Sequence, residues 1–198
     1  MRSLGRFLPA LGAWLLLAAA AFAARTVVID AGHGGHDRGG VPRQRYSEKL
    51  YALDVARRLE RKLRSAGFRT VMTRNGDYFV SLSGRCAIAN RQRSAVFISV
   101  HFNSGAREGA NGIETYYYGR SSGAYAATVH ANVLRAAGTE NRGVRRRGFY
   151  VLRHTRIPAV LAECGFLTNR AEGRRISTSG HRQRLADALS RAIVARYR

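Results

Sequence analysis

Residues 26–40 constrain the fold of this 198-residue chain more than any other segment, and they read TVVIDAGHGGHDRGG. The β-branched run at residues 27–29 indicates a buried strand, which is followed at once by turn-forming glycines. In an open α/β sheet, ligands bind beyond the carboxyl ends of the strands, so His33 is expected at a binding crevice. The glycine spacing matches neither a dinucleotide fingerprint nor a P-loop. An imidazole in this loop therefore indicates a metal whose other ligands lie elsewhere in the chain.

The first 23 residues have the composition of a secretory signal peptide. Arg2 and Arg6 form a charged start, an apolar stretch follows, and residues 21–23 read AFA, as at a cleavage site. An uncleaved anchor helix is the alternative, although the apolar stretch is near the short limit for spanning a bilayer. We expect an exported protein of the periplasm or the extracellular cell wall, with no stable membrane anchor after cleavage.

The remaining residues, 24–198, are sufficient for one α/β domain with a full core and leave no room for a second. Three prolines and the lack of an internal repeat argue against linkers or arrays. The sequence therefore predicts a signal peptide at residues 1–23 and a single catalytic domain at residues 24–198, which we expect to act as a monomer.

The chain is strongly basic, with 34 Lys and Arg against 12 Asp and Glu and a formal net charge of +22. In an exported protein such a charge favours an acidic polymer, such as the cell wall, as partner. Nucleic acid is not favoured, because the arginines are scattered over every predicted element instead of forming one stripe with aromatic residues between them. A solvated basic surface without a function is an equally open interpretation.

Two cysteines, Cys86 and Cys164, are too few for a disulfide framework. A single bridge is possible in an oxidising compartment. Two buried free thiols are the favoured interpretation.

Apolar periodicity and turn residues predict strands that alternate with helices. Ser47 is a good N-cap for the first helix, and Gly67 suits its C-terminal end. Strands are expected at residues 27–29, 68–74, 95–100, 112–118, 149–153 and 159–162, and helices at residues 48–66, 84–93, 122–137 and 180–197. This alternation predicts a three-layer α/β/α domain with a mostly parallel central sheet.

Three polar residues each follow an apolar run and are therefore expected at the same edge of the sheet: His33, His101 and Glu163. Glu48 begins the helix that follows the glycine loop and lies within reach of the same place. Two imidazoles and a carboxylate, with water in the fourth position, are a common catalytic zinc arrangement. The remaining carboxylate could act as general base, and spacing does not decide which glutamate has which role. His36 is an alternative to His33.

Ordered sequence blocks extend over nearly all of residues 24–198. They are VIDAGHGG at 28–35, SEK at 47–49, TRNGDYFVSL at 73–82, FISVHFN at 97–103, GIETYY at 112–117, NRGV at 141–144 and PAVLAECGFLTN at 158–169. With these blocks the chain resembles the zinc-dependent N-acetylmuramoyl-L-alanine amidases of bacterial cell walls, the amidase_3 type. The resemblance implies a zinc-exopeptidase-like fold.

The resemblance also implies a role for each candidate. The Zn²⁺ ligands would be His33, Glu48 and His101, and Glu163 would be the catalytic carboxylate. The substrate would be peptidoglycan, cleaved at the amide between N-acetylmuramic acid and L-alanine of the stem peptide. Five further residues are candidates for supporting the ligands or lining the groove, with a purely structural role as the alternative: Asp30, Arg85, Asn103, Glu114 and His154.

Two other functions remain open at this point. A zinc carboxypeptidase-like exopeptidase would share the architecture. A catalytically silent wall-binding module would be expected to lack a ligand or the catalytic carboxylate, and the sequence has all four residues.

Overall fold

A computed structural model of the chain describes residues 26–41, 44–106 and 109–198, so the signal peptide prediction lies outside the described residues. Six strands are present there: β1 (Thr26–Ala31), β2 (Arg69–Met72), β3 (Ala95–Asn103), β4 (Ile113–Tyr117), β5 (Asn141–Arg146) and β6 (Ala159–Phe166). The α-helices are α1 (Glu48–Ser65), α2 (Leu82–Asn90), α3 (Gly123–Ala137), α4 (Tyr150–Arg153), α5 (Arg170–Ser177) and α6 (Ser179–Tyr197).

The six strands form one sheet in the order β2-β1-β3-β6-β4-β5. All neighbouring pairs are parallel except β4 and β6, which are antiparallel. The chain leaves β1 for β2 on one side and returns to place β3 on the other. This reversal opens a crevice at the carboxyl ends of β1 and β3, where ligands bind in open α/β sheets.

Helices cover both faces of the sheet, which confirms the predicted three-layer architecture. Alternate residues of β1 face opposite layers. Val27 and Ile29 belong to the larger core, which includes residues of α1, α3 and α6, whereas Val28 belongs to a smaller core with residues of α2 and α4. The apolar stripe of α1, which includes Leu59 and Leu63, is fully buried in the larger core. Burial of this stripe fixes the angle at which the N-terminus of α1 meets the crevice.

The predicted strand at residues 149–153 is wrong, because this segment forms the one-turn helix α4. Val151 and Leu152 are adjacent in sequence and both buried, which a half-buried strand does not permit. Strands β3 and β6 are longer than predicted, so His101 and Glu163 lie inside strands and not after them. Helix α2 begins at Leu82, where the hydroxyl of Ser81 accepts a hydrogen bond from the Gly84 amide.

Two elements were not predicted, namely the edge strand β5 and the helix α5. Cys86 and Cys164 are both free and buried, as the favoured interpretation had it. They belong to the two different cores, on opposite faces of the sheet. Among the described residues, no helix combines the length and apolar character needed to cross a membrane.

Candidate metal centre

Glu48, the first residue of α1, places its carboxylate between two imidazoles at the crevice. Its Oε2 lies 3.0 Å from Nε2 of His33, and its Oε1 lies 2.8 Å from Nδ1 of His101. One ligand atom from each of the three residues lies within 4.8 Å of the others, so together they could hold a metal ion. Two nitrogen donors and one carboxylate oxygen are a donor set that zinc accepts.

The glycine loop after β1 fixes the orientation of the His33 ring. His33 itself has a positive φ of 61°, a conformation that is uncommon for a residue with a side chain. Its Nδ1 lies 2.9 Å from Oδ2 of Asp37, which leaves Nε2 directed at Glu48. Such a carboxylate partner on the far nitrogen orients a metal-binding histidine and sets its tautomer.

Two glycines permit the close approach of the three candidate ligands. A Cβ atom at Gly32 would lie 2.4 Å from Cε1 of His101, and one at Gly39 would lie 2.6 Å from Oε2 of Glu48. Real Cβ atoms do not approach other atoms so closely. The loop therefore needs glycine at these positions to make room for the ligand side chains.

Asp30 and Arg85 form a buried ion pair beneath the loop, with Oδ1 and Nη1 2.7 Å apart. Arg85 also donates hydrogen bonds of 2.6 Å to the carbonyls of Ala31 and His33. Burial alone would raise the pKa of Asp30, but the Arg85 charge and two hydroxyl donors lower it below its ordinary value. Both residues thus hold the backbone that carries His33, and both line the same cavity as the ligands.

Arg74 has a comparable role that the sequence interpretation did not single out. It is fully buried and donates to the carbonyls of Ala31 at 2.9 Å, Gly32 at 2.7 Å and Lys49 at 2.8 Å. These bonds tie the glycine loop to the first turn of α1, which carries Glu48. The sequence signal for this role is an arginine shortly after strand β2, which pairs with β1 in the sheet.

Glu163 projects from β6 at the register position of His101 on the neighbouring strand β3. Its Oε2 is buried and has no hydrogen-bond partner among the described residues. Burial, together with the negative charges of Glu48 and Glu114, raises the pKa of Glu163 well above its ordinary value. A carboxylate with an unpartnered oxygen and a raised pKa beside three candidate metal ligands is an arrangement typical of an acid–base group.

Asn103 and Glu114 lie beside the candidate acid–base group. Glu114 is opposite Glu163 in the antiparallel pair of β4 and β6, and it accepts hydrogen bonds from Asn103 at 2.9 Å and from the Tyr116 hydroxyl at 2.8 Å. Asn103 lines the main cavity, whereas Glu114 lines a smaller cavity next to it.

His154 lies apart from the ligand cluster. It is exposed, its ring stacks on Tyr150 at 4.2 Å, and it is not among the described residues that line the main cavity. His36, the alternative to His33, packs its ring against Phe79 and is not in the candidate ligand cluster.

The cavity above the cluster has a volume of about 650 Å³. One wall is apolar and partly exposed, and it is formed by residues of the loop before α2, of α2 itself and of α4: Phe79, Val80, Leu82, Phe149 and Tyr150. The floor contains the candidate ligands and Glu163. An open groove of this kind can admit a polymer segment as well as a small molecule.

Fold and site together define an α/β domain with a candidate metal centre beside an unpaired carboxylate, a combination suited to hydrolysis. The family model of the N-acetylmuramoyl-L-alanine amidases matches residues 27–195. The chain belongs to this amidase family.

Relatives and solved structures agree with the family match. YqiI of Bacillus subtilis is 37% identical, over 100% of this chain and 99% of YqiI. The probable cell wall amidase LytH of Staphylococcus aureus is 35% identical over 83% of this chain, which spans only 56% of LytH. The catalytic domain of the amidase CwlV from Bacillus (Paenibacillus) polymyxa superposes with a TM-score of 0.83 at 36% identity, covering 87% of this chain and 97% of that domain. The amidase AmiC2 of Nostoc punctiforme gives 0.83 at 37% identity, with 87% and 96% covered.

These similarities confirm the predicted enzyme class, a peptidoglycan amidase, and the predicted α/β fold. They favour the amidase over the carboxypeptidase-like exopeptidase and over the silent wall-binding module.

Proposed function

We propose that the chain hydrolyses the amide between the lactyl group of N-acetylmuramic acid and L-alanine of the stem peptide, with Zn²⁺ held by His33, Glu48 and His101. The observation that carries this proposal is the carboxylate of Glu163, whose buried Oε2 has no hydrogen-bond partner among the described residues, beside the three-residue cluster. When bound, zinc supplies Lewis acidity, which activates water and polarises a carbonyl oxygen.

The donor atoms support zinc as the metal. Two imidazole nitrogens face two oxygens of one buried carboxylate, and the second nitrogen of His33 has its own carboxylate partner. Nitrogen and oxygen donors with an open position are typical of catalytic zinc sites. A side chain at Gly32 or Gly39 would collide with these donor residues, so the glycines leave room for them.

Glu163 acts as the general base and then as the general acid. Its carboxylate takes a proton from the attacking water and delivers it to the nitrogen of the leaving amine as the carbon–nitrogen bond breaks. The raised pKa suits both steps, because a carboxylate with an ordinary pKa returns a proton poorly near neutral pH. Arg85 and Arg74 hold the loop backbone and so keep His33 oriented during turnover.

We also propose that the protein works outside the cytoplasm, in the periplasm or at the cell wall, after removal of residues 1–23. Peptidoglycan lies there, and the formal net charge of +22 suits an acidic polymer. We propose a monomer, since the candidate ligands and Glu163 all come from one chain.

The test uses purified residues 24–198 and isolated sacculi, with the products identified by mass spectrometry. We expect peptides with a free L-alanine amino terminus and glycan strands without peptide. A chelator should stop the reaction and added Zn²⁺ should restore it. Shortened peptides that stay attached to the glycan would identify an exopeptidase instead, and an absence of products would identify a silent module.

A further inference from the structure

A second cavity of about 500 Å³ adjoins the main one and is lined by three arginines, Arg45, Arg170 and Arg174. Arg45 lies in the loop before α1, and the other two lie in α5. The rest of the lining is mixed, with Thr168 and Gln44 beside apolar and aromatic residues such as Leu167 and Tyr46. Three arginines from two separate segments thus border one space.

These three arginines are exposed, and no carboxylate of the described residues forms an ion pair with them. Neighbouring arginines behave differently. Arg175, on the same helix, pairs with Glu172 at 3.6 Å. Like charges that converge on one cavity repel each other, and a bound anion relieves this repulsion.

The second cavity continues directly from the candidate metal centre. Strand β3 carries His101, the following Ser104 lines the main cavity, and Gly105 lines the second one. Val41 lines both cavities. Gly105 is four positions after His101 in the chain, so the two lie at most about 14 Å apart. A bound peptide of about four residues would cover the same span.

Hydrogen bonds hold the boundary between the two cavities in place. The Gly105 amide donates to the Thr168 hydroxyl at 3.0 Å. The Ser104 hydroxyl donates to the side chain of Gln44, which itself donates to the carbonyl of Tyr46 at 2.7 Å. The segment carrying Arg45 is thereby fixed to the loop after β3.

We propose that Arg45, Arg170 and Arg174 form a subsite for a carboxylate of the stem peptide, about four residues or fewer from the scissile amide. The proposal rests on the proposed function and states in which direction the substrate lies along the groove. The peptide lies over the arginines, and the glycan lies over the aromatic wall of Phe79 and Tyr150. Guanidinium groups bind carboxylates through paired, charge-assisted hydrogen bonds, which makes arginine suited to this role.

The test compares two muropeptides of the same sequence, one with a free C-terminal carboxylate and one with a C-terminal amide. The parent enzyme should cleave the free acid with a KM about tenfold lower, as expected for one charge-assisted contact, and with a similar kcat. Arg174→Gln and Arg170→Gln should each reduce this preference, because they raise the KM of the free acid more than the KM of the C-terminal amide. Arg175→Gln is the matched control on the same helix and should keep the full preference.

Equal KM values for the two substrates in the parent enzyme would overturn the proposal. An equal loss of preference in Arg175→Gln would also overturn it, since general surface charge would then be the cause. A third contrary result would be arginine variants that lose affinity for a phosphate-rich wall polymer but keep the carboxylate preference.

Calorimetric titration of the Glu163→Gln variant with both muropeptides separates this proposal from the proposed function. Tighter binding of the free acid without cleavage of either substrate by the parent would support the subsite and contradict the amidase mechanism. Cleavage of both substrates by the parent enzyme, together with equal binding of the two by Glu163→Gln, would support the amidase mechanism and contradict the subsite.

Discussion

Two glutamates at the candidate site of this amidase occupy different environments, and the difference supports the separate roles proposed for them. Glu48 is hydrogen-bonded to both imidazoles. Burial would raise its pKa, but the hydrogen bonds from His101 and His33 lower it to about 2. Glu163 has no such partner, and its pKa is raised. These environments suit Glu48 to remain an anion, as the proposed metal ligand must, and suit Glu163 to exchange a proton, as the proposed acid–base group must.

Glu163→Gln and His101→Ala should consequently fail in different ways. Glu163→Gln removes the acid–base group and should keep the metal and the fold but lose about 10²–10⁴-fold in kcat. His101→Ala should lose activity and metal content together. Metal analysis of the purified variants and muropeptide turnover provide the two measurements. Full zinc occupancy in His101→Ala, or parental turnover in Glu163→Gln, would contradict the assigned roles.

Gly32→Ala should weaken the metal centre without touching a ligand. Gly32 does not have a positive φ, so alanine is compatible with its backbone, but the new methyl group would press on the His101 ring, 2.4 Å from Cε1. Loss of ligand positioning typically costs about 10–100-fold in metal affinity. Competition with a chromogenic chelator measures this affinity. Gly109→Ala is the control, because an added Cβ there has open space, and a similar loss in both variants would refute the steric explanation.

At the scale of secondary-structure elements, the sequence predicted those whose apolar pattern coincides with their burial. Helix α1 and strand β3 belong to this group. Strand β5 was missed because its sequence, NRGVRR, has one apolar residue. Its strand character comes from backbone pairing with β4 at the edge of the sheet, where charged side chains are tolerated. The residues of the segment 149–153 favour a strand by their intrinsic propensity. Packing against α2 overrides this propensity, and the segment forms the helix α4.

Helix α5 could have been found from its N-terminus. Asn169 and Glu172 have the spacing of a capping pair, and the Asn169 side chain accepts hydrogen bonds from the amides of Ala171 at 3.0 Å and Glu172 at 3.1 Å. The arginine content of the helix concealed this signal. The candidate metal cluster was accessible to sequence reasoning because polar residues near the strand ends mark its place. Arg74 was harder to find, since its partners are backbone carbonyls, which carry no sequence signature.

The start of α6 contains a buried histidine that should make the fold sensitive to acid. His181 is 4% exposed, and its Nδ1 accepts a hydrogen bond from Arg184 at 3.2 Å. Burial, followed by the charges of Arg184, Arg175 and Arg182, lowers its pKa to about 4 from 6.5. The folded state therefore keeps this imidazole neutral at a pH where the unfolded chain protonates it.

Lowering the pH from 6.5 to about 4 should reduce the free energy of unfolding by up to about 3 kcal/mol through His181, because the unfolded state binds the extra proton. Above pH 6.5 this contribution should be constant. Urea unfolding at several pH values measures it, and His181→Gln should flatten the profile. The exposed His154→Gln serves as control. A parental slope in His181→Gln would show that other groups cause the acid sensitivity.

At the scale of the whole molecule, the arginines divide into two populations. A few are buried and structural. Arg74, for example, donates to a backbone carbonyl, and Arg85 pairs with Asp30. Many others are exposed on helices far from the site. Arg61 and Arg64 lie on α1 at least 13 residues after Glu48, which corresponds to about 20 Å along the helix. Exposed charges at this distance can attract a polyanion but cannot touch the scissile bond.

Attraction to the wall should therefore depend on salt far more than catalysis does. The range of exposed charges falls from about 8 Å at physiological ionic strength to about 3 Å at 1 M salt. We expect the Glu163→Gln variant, which binds without digesting, to sediment with sacculi at low salt and to be released as salt rises, whereas parental turnover of a small soluble muropeptide should change little. Replacing Arg61 and Arg64 by glutamine should weaken sedimentation at low salt without changing that turnover. Sacculus binding that stays constant up to molar salt would instead show that contacts within the groove, and not the net charge of the molecule, hold the enzyme on the wall.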